Sequence, residues 1–332
     1  MHRNNRTVVR FAYILAASHS GSTLLSMLLG SHPEIATVGE MKLSRRAMGD
    51  LGRYRCSCGA LIRQCGFWQE VREGMSRRGF TFDMANAGVD YRALKSPYVQ
   101  RLLGPMVRGR VFECVRDAAL WLSPTWHQEL PAVHKQNAAL AATVCEITQA
   151  EIVVDSSKIA LRLKYLLRYP DLDVKVIRLI RDGRAVALTY MDPGGFADAK
   201  DPARRGGGMG GDRARERLSI TRAAYQWRRC MEEAESLLRG LNRSRWIEIR
   251  YEDYCRDSEA ALSRLHDFLG VEPGRQPKEF RSVEQHVVGN GMRLDMTSEL
   301  QLDERWRSVL TEEDLRIFDD VAGEMNRRYG YN

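Results

Sequence analysis

The sequence predicts an α/β fold, a parallel sheet flanked by helices, on the strength of a pattern that occurs three times. An apolar run ends in a short polar turn and passes into a helical pattern at Phe11–Ala17, at Glu151–Lys158 and at Asp173–Ile180. Units of this kind pair as parallel strands. Their C-terminal ends then gather along one edge, where open α/β sheets bind ligands.

The first unit is the most informative. Phe11 to Ala17 is continuously apolar, as in a strand covered on both faces, and Leu24, Leu25, Leu28 and Leu29 recur at helical spacing. Between them lies Ser18-His19-Ser20-Gly21-Ser22-Thr23, a turn of small hydroxylated residues. It points the N–H groups of Gly21, Ser22, Thr23 and Leu24, with the positive end of the helix dipole, at one spot that favours a phosphate. Ser-Gly-Ser turns also join strands to helices where nothing binds. The layout is P-loop-like without being a Walker A loop, because Ser22 stands where that motif needs Lys. An ordinary ATP or GTP loop is thereby disfavoured.

Further along, Gly30 is expected to end the first helix in the left-handed conformation, and His32-Pro33 to form a turn. Ile35–Val38 then returns Gly39-Glu40 toward the sheet. Residues 41–150 read as Arg-rich helices and loops, a helical insertion capping the site. Lys158 closes the second strand and Arg181-Asp182-Gly183-Arg184 follows the third. Residues 192–213, rich in Gly and Arg, read as a mobile loop, a lid over an acceptor. A long helix follows with an apolar stripe of Leu218, Thr221, Tyr225, Met231, Ala234 and Leu238. Trp246 to Tyr251 is a fourth strand. Ser258 is expected to cap a helix that Gly270 stops, residues 271–310 are irregular, and Thr311 caps a last amphipathic helix. Residues 1–332 read as a single domain.

Composition narrows the class. The 332 residues are 44% hydrophobic and 28% charged, in the globular range. No apolar run reaches the ~18 residues of a membrane span, and no signal-peptide core precedes the first strand. The expectation is a cytoplasmic protein without a transmembrane segment. The net charge of +8 comes almost wholly from Arg, which suits phosphate, sulfate or carboxylate partners. It is too diffuse to indicate nucleic acid, and no DNA or RNA module is visible. Cys56, Cys58 and Cys65 form the only cysteine cluster. Cys-x-Cys is not the usual zinc spacing and no His or fourth Cys is near, so reduced, buried thiols are expected and no metal. His266 and His286 read as packing or surface residues.

Four stretches, in order, resemble the sulfotransferases that use 3′-phosphoadenosine 5′-phosphosulfate (PAPS). Ser18–Thr23 resembles that family's 5′-phosphosulfate loop. Arg181-Asp-Gly-Arg-Ala-Val-Ala-Leu-Thr189 resembles its 3′-phosphate motif, in which the Arg and a hydroxyl residue eight positions on bind the 3′-phosphate. Arg250-Tyr251-Glu252-Asp253 precedes a helix as in the family. Val288-Gly-Asn-Gly-Met-Arg293, followed by Glu304-Arg305-Trp306, is similar to its cofactor-covering segment. The pattern is closest to bacterial and tyrosylprotein sulfotransferases.

This resemblance implies a P-loop-like fold, PAPS as donor, 3′-phosphoadenosine 5′-phosphate (PAP) as product and a hydroxyl acceptor, with a carbohydrate or glycolipid favoured over a phenol. It makes Glu40 the catalytic base, gives Lys158 the place of a transition-state lysine, and puts His19 where the family has Lys or Arg. Around the cofactor it places Ser18, His19, Ser20, Gly21, Ser22, Thr23, Arg181, Thr189 and Tyr251, then Asn290, Gly291, Met292, Arg293 and Arg305. No metal is required by this scheme. The alternatives are an atypical P-loop kinase, a tyrosine or small-phenol sulfotransferase, and a non-catalytic binder of sulfated polymers working through the Arg-rich loop.

Overall fold

The computed structural model describes residues 8–43, 50–92, 94–104, 110–210 and 213–332. Residues 1–7, on which the expectation of no leader segment rests, lie outside the described residues, as do 44–49, 93 and 105–109 of the insertion and 211–212 of the Gly/Arg-rich stretch.

A parallel sheet of β1 (Val9–Ala16), β2 (Ile35–Thr37), β3 (Ile152–Lys158), β4 (Leu172–Ile180) and β5 (Trp246–Arg250) runs in the order β2-β3-β1-β4-β5. Side chains of β1 alternate between two cores. Phe11, Tyr13 and Leu15 join Val153, Val174 and Val176 on one face, while Ala12, Ile14 and Ala16 join Val154, Ile177 and Leu179 on the other. Burial on both faces explains the continuous apolar runs.

The longer helices are α1 (Ser22–Leu29), α2 (Gly66–Arg77), α3 (Pro97–Leu102), α4 (Arg110–Trp121), α5 (Pro124–Thr148), α6 (Ala160–Leu166), α7 (Gly183–Met191), α8 (Ile220–Leu238), α9 (Tyr251–Arg256), α10 (Ser258–Leu269) and α11 (Glu312–Phe318). Leu25 and Leu28 of α1 and Leu262 and Leu265 of α10 cover the second face of the sheet. Residues of α2, α5 and α6 cover the first.

Several local expectations are corrected. Gly30 has φ −71°, so α1 ends right-handed, with the Gly30 N–H donating to the Ser26 carbonyl. The α10 cap is Asp257, whose carboxylate accepts from the Ala260 N–H, and Ser258 is the first helical residue. On α8 the buried stripe is Ile220, Ala223, Ala224, Trp227, Met231, Ala234 and Leu238, and Tyr225 is exposed. The capping box at Thr311 is present, with Asp314 as its partner.

The described helices of the insertion pack on one face of the sheet. The Gly/Arg-rich stretch differs from a structureless loop. It carries a short helical turn at Pro193–Phe196 and a left-handed turn at Gly206–Gly208, where the three glycines have φ 61°, 80° and 94°. Asp198 ties it down by accepting from the Gly206 N–H and pairing with Arg213 at 2.9 Å, and Arg204 donates to the Leu294 carbonyl at 2.6 Å.

Candidate active site

All five strands deliver a polar group to the same edge. The turn Ser18–Gly21 follows β1, Glu40 follows β2, Lys158 ends β3, Arg181 follows β4 and Tyr251 follows β5. These groups line one cavity of about 1180 Å³. Its place, outside the carboxyl ends of parallel strands, is where such sheets bind ligands.

The β1 turn is shaped for an anion. Gly21 is the N-cap of α1, left-handed at φ 85°, and among the described residues no side chain caps the helix. The first intrahelical bond runs from Leu25 to the Gly21 carbonyl at 3.0 Å, which leaves the Ser22, Thr23 and Leu24 N–H groups without a helical acceptor. The first turn carries no acidic side chain. A Cβ on Gly21 would sit 2.3 Å from the Tyr254 hydroxyl and 2.6 Å from the Tyr251 ring, so only glycine fits.

Glu40 is placed by backbone contacts on both sides. Gly39, at φ 77°, pairs with Val288, and a Cβ there would lie 2.0 Å from the Val288 carbonyl oxygen. The Glu40 N–H donates to that oxygen at 3.2 Å, and the Gly39 carbonyl accepts from Ser156 at 2.9 Å. One residue further, the Met41 N–H donates to the buried Asp155 carboxylate at 3.1 Å.

Lys158 reaches Glu40 through an irregular strand end. The β1/β3 register shifts between Tyr13 and Leu15, so β3 carries one extra residue, and Lys158 has φ 70°. A non-glycine residue in this region is strained and marks a conformation imposed by its surroundings. The Lys158 ammonium lies 2.5 Å from one Glu40 carboxylate oxygen and that of Lys42 lies 3.0 Å from the other. Burial alone would raise the Glu40 pKa, but the charges of Lys158 and Lys42 outweigh it and hold the carboxyl at about 2. Burial lowers the Lys158 pKa, and Glu40 opposes that shift.

His19, also left-handed at φ 66°, packs edge-on against Tyr190 at 4.7 Å. Burial, then the charges of Arg213, Lys158 and Arg181, push its pKa down to about 3. The imidazole is therefore neutral near pH 7 in the protein alone. Arg181 donates to the His19 carbonyl at 2.9 Å, pairs with Asp303 at 2.9 Å and lies over the Tyr251 ring at 4.2 Å. Among the described residues its buried Nε has no partner, and neither has the buried Ser20 hydroxyl.

The family model described as the sulfotransferase family matches residues 12–274. The chain belongs to the sulfotransferase family. Membership supports a sulfotransferase enzyme over the kinase and non-catalytic alternatives. Among solved structures, this sulfotransferase is similar to the sulfotransferase domain of the Synechococcus PCC 7002 olefin synthase at 17% identity, covering 96% of this chain and 97% of that one, with a TM-score of 0.45. It is similar also to sulfotransferase STF1 from Mycobacterium tuberculosis H37Rv, at 13% identity over 94% of this chain and 77% of that one, TM-score 0.41. A retinol dehydratase solved with androsterone and the inactive cofactor PAP gives 13% identity, 95% and 80% coverage and a TM-score of 0.39. No curated protein matches the chain.

Of the residues the sequence singles out in this sulfotransferase, Ser18, His19, Gly21, Ser22, Thr23, Glu40, Lys158, Arg181, Tyr251, Asn290, Gly291, Met292 and Arg305 line the cavity. Ser20, Thr189 and Arg293 do not. Ser20 is buried behind the turn. Thr189 is fully buried in α7, its hydroxyl donating to the Ala185 carbonyl at 2.9 Å. Arg293, 1% exposed, turns inward to donate to the Gly289 and Asn290 carbonyls and stacks on Tyr54. The Asn290 carboxamide is occupied in a local turn, accepting from the Met292 N–H, and Arg305 pairs with Asp303 at 2.7 Å.

Sequence reasoning missed Lys42, Tyr54, Tyr190 and Arg213, which also line the cavity. Lys42 stands two residues after Glu40, and that proximity was its one available signal. Tyr54 accepts from the Gly289 N–H at 2.9 Å and donates to the Gly289 carbonyl at 3.0 Å, a contact across the chain that no local pattern announces. Among the described residues no helix is long and apolar enough to cross a membrane.

Proposed function

We propose that this sulfotransferase moves the sulfuryl group of PAPS to an acceptor hydroxyl on a carbohydrate or glycolipid. The observation that carries the proposal is that the Glu40–Lys158 pair and the N-terminus of α1 line one cavity. The residues present fit such a donor. Among the described residues Arg181 has a buried nitrogen without a partner and the α1 amides have no helical acceptor, and His19, Lys158, Arg181 and Arg213 line the same space.

Ser18–Thr23 would hold the 5′-phosphosulfate and Arg181 the 3′-phosphate, with Tyr251, Asn290, Gly291, Met292 and Arg305 around the nucleotide. Bound there, PAPS supplies the electrophilic sulfur and leaves as PAP. Glu40 accepts the proton of the acceptor hydroxyl, and its low pKa keeps it in the accepting form. The α1 amides stabilise negative charge without reorganising, Lys158 adds its charge, and neutral His19 offers one hydrogen bond. The cavity lining includes Lys200, Arg205, Asp295 and Glu299 along with Tyr54 and Phe196. That mixture of charges and a few rings suits a hydroxyl-rich head better than a bare phenol.

The test is thermal stability against PAP, with AMP, ADP and ATP plus Mg²⁺ for comparison, in the protein and in Arg181→Ala. A ligand at a hundredfold excess over its Kd stabilises by about 2.7 kcal/mol. Stabilisation confined to PAP is expected. Removing the Arg181 charge should weaken PAP binding by about 2–5 kcal/mol, roughly 30-fold or more in Kd. Equal stabilisation by ATP and PAP, or an unaltered Arg181→Ala, contradicts the donor assignment. Transfer of labelled sulfuryl to glycans and glycolipids against tyrosine peptides and simple phenols then decides the acceptor.

A second prediction concerns His19. Its folded pKa, about 3, lies below its unfolded value, so its contribution to stability is complete above about pH 6.5 and is lost as pH falls toward 3. A phosphate beside the ring opposes the cationic neighbours and raises that pKa. PAP binding near pH 5.5 should therefore take up more protons in the protein than in His19→Asn, as measured calorimetrically in buffers of different ionisation enthalpy. Equal proton uptake by the two would refute it.

A further inference from the structure

The hairpin 54–62, whose first residue Tyr54 lines the cavity, brings together at its tip residues that the mechanism does not use. Ile62 donates to the Tyr54 carbonyl at 2.8 Å and Cys56 to the Ala60 carbonyl at 2.9 Å, and Arg55 pairs antiparallel with Leu61. At its tip the Gly59 N–H donates to the Cys56 carbonyl at 2.9 Å, with Gly59 at φ 87°. This tight turn gathers Cys56 and Cys58. Cys65, at the N-terminus of α2, is buried against them.

The fourth member comes from far along the chain. Ser57 binds the 285–287 segment, its N–H donating to the Val287 carbonyl at 3.2 Å and its hydroxyl accepting from the Val287 N–H at 2.7 Å. That pairing sets His286 over the cysteines. The imidazole stacks on Phe67, with centroids 4.5 Å apart and planes 6° apart, which fixes the direction of its nitrogens. Nδ1 lies 3.4 Å from the Cys65 sulfur and 3.8 Å from that of Cys56, and the Cys58 and Cys65 sulfurs are 3.7 Å apart. All four donor atoms lie within 4.8 Å of one another.

These separations have a simple source. A tetrahedral zinc with Zn–S of about 2.3 Å and Zn–N of about 2.05 Å sets its ligands about 3.8 Å apart for two sulfurs and about 3.5 Å apart for sulfur and nitrogen. A disulfide needs about 2.05 Å between sulfurs and would leave one thiol and the oriented imidazole unexplained. On the far side of the ring, Nε2 faces the Glu284 carboxylate at 3.6 Å. Metal-bound histidines commonly direct their second nitrogen to such an acceptor. Cys56 and Cys65 are buried and Cys58 is exposed, so the cluster is enclosed yet has a way in from solvent.

We infer that Cys56, Cys58, Cys65 and His286 form a structural zinc site. Four protein ligands close the coordination shell, as in structural sites, and none of the four lines the cavity. The site would clamp the hairpin to the C-terminal segment. Val288, two residues past His286, is the residue whose backbone pairs with Gly39 and accepts from Glu40. Metal binding thus fixes the segment that positions the proposed base. The absence of a nearby histidine in the sequence, which argued against a metal, is overcome by the fold.

Metal content of the full chain, purified with reductant and without chelator, should be one zinc per chain by mass spectrometry. Cobalt substitution should give thiolate charge-transfer bands and visible bands of tetrahedral intensity. Stripping the metal should lower the melting temperature, and zinc should restore it. Cys58→Ser removes an exposed thiol and should fold, binding zinc at least tenfold more weakly; His286→Asn should do the same and blue-shift or weaken the cobalt bands. Cys114→Ser, exposed and outside the cluster, should bind normally. The inference is overturned if folded, reduced protein holds no zinc after incubation and dialysis, or if the Cys58→Ser/His286→Asn double variant binds as tightly as the parent. A stable disulfide among these cysteines in freshly extracted protein would also overturn it. None of these readouts depends on the sulfuryl acceptor or donor.

Discussion

Replacing Glu40 by Gln is expected to reduce turnover by about 10²–10⁴ while leaving PAP affinity unchanged or tighter. The direction of the second effect follows from the ion pairs. The carboxylate holds Lys158 at 2.5 Å and Lys42 at 3.0 Å, and an amide releases both ammonium groups to other anions in the cavity. The same pairs explain how a carboxyl with a pKa of about 2 serves as a base. A base so acidic accepts a proton poorly, but Lys158 is its largest acidifying charge. An anion that draws Lys158 away raises the basicity of Glu40 when the proton must move. Steady-state turnover and PAP titration on the same preparation check both parts. Full turnover in Glu40→Gln, with normal PAP binding, would remove Glu40 from the role of base.

The groups at the sheet edge were legible because parallel strands place chemistry at their ends. An apolar run ending in Ser18, Lys158 or Arg181 announces both the strand and the functional position, since the same burial that makes the run apolar ends where the chain leaves the sheet. Helix faces were less legible. Counting the α8 stripe from Leu218, which lies before the helix begins at Ile220, shifts the phase and turns Tyr225 inward on paper, whereas Trp227 is the buried aromatic. Thr189 and Arg293 illustrate another limit. Both sit in motifs that resemble nucleotide contacts, yet Thr189 bonds within its own helix and Arg293 turns inward onto the Tyr54 ring and the Arg55 carbonyl, a choice made by packing. His286 meets Cys65 across 221 positions of sequence, so no local spacing could have joined them.

The largest stability loss is expected for Asp155→Ala, about 3–5 kcal/mol. Asp155 is fully buried and carries the contacts that hold the end of β3 to the turn bearing Glu40. Its carboxylate accepts from the Met41 N–H at 3.1 Å and the Ser157 N–H at 2.8 Å, and pairs with Arg162 at 2.9 Å. Arg162 in turn donates to the Val89 carbonyl and the Asn137 carboxamide, both at 2.7 Å, linking the insertion to the sheet. Alanine leaves a buried guanidinium without its counter-charge, and that uncompensated charge, more than any lost attraction, dominates the cost. A double variant, Asp155→Leu with Arg162→Met, should therefore recover part of the stability lost by Asp155→Ala in denaturant unfolding. It should not recover turnover, because the Met41 N–H still lacks the acceptor that fixes the Glu40 turn. A loss under about 1 kcal/mol in the single variant, or restored turnover in the double one, would show that the Glu40 turn is held by Gly39 and Val288 alone.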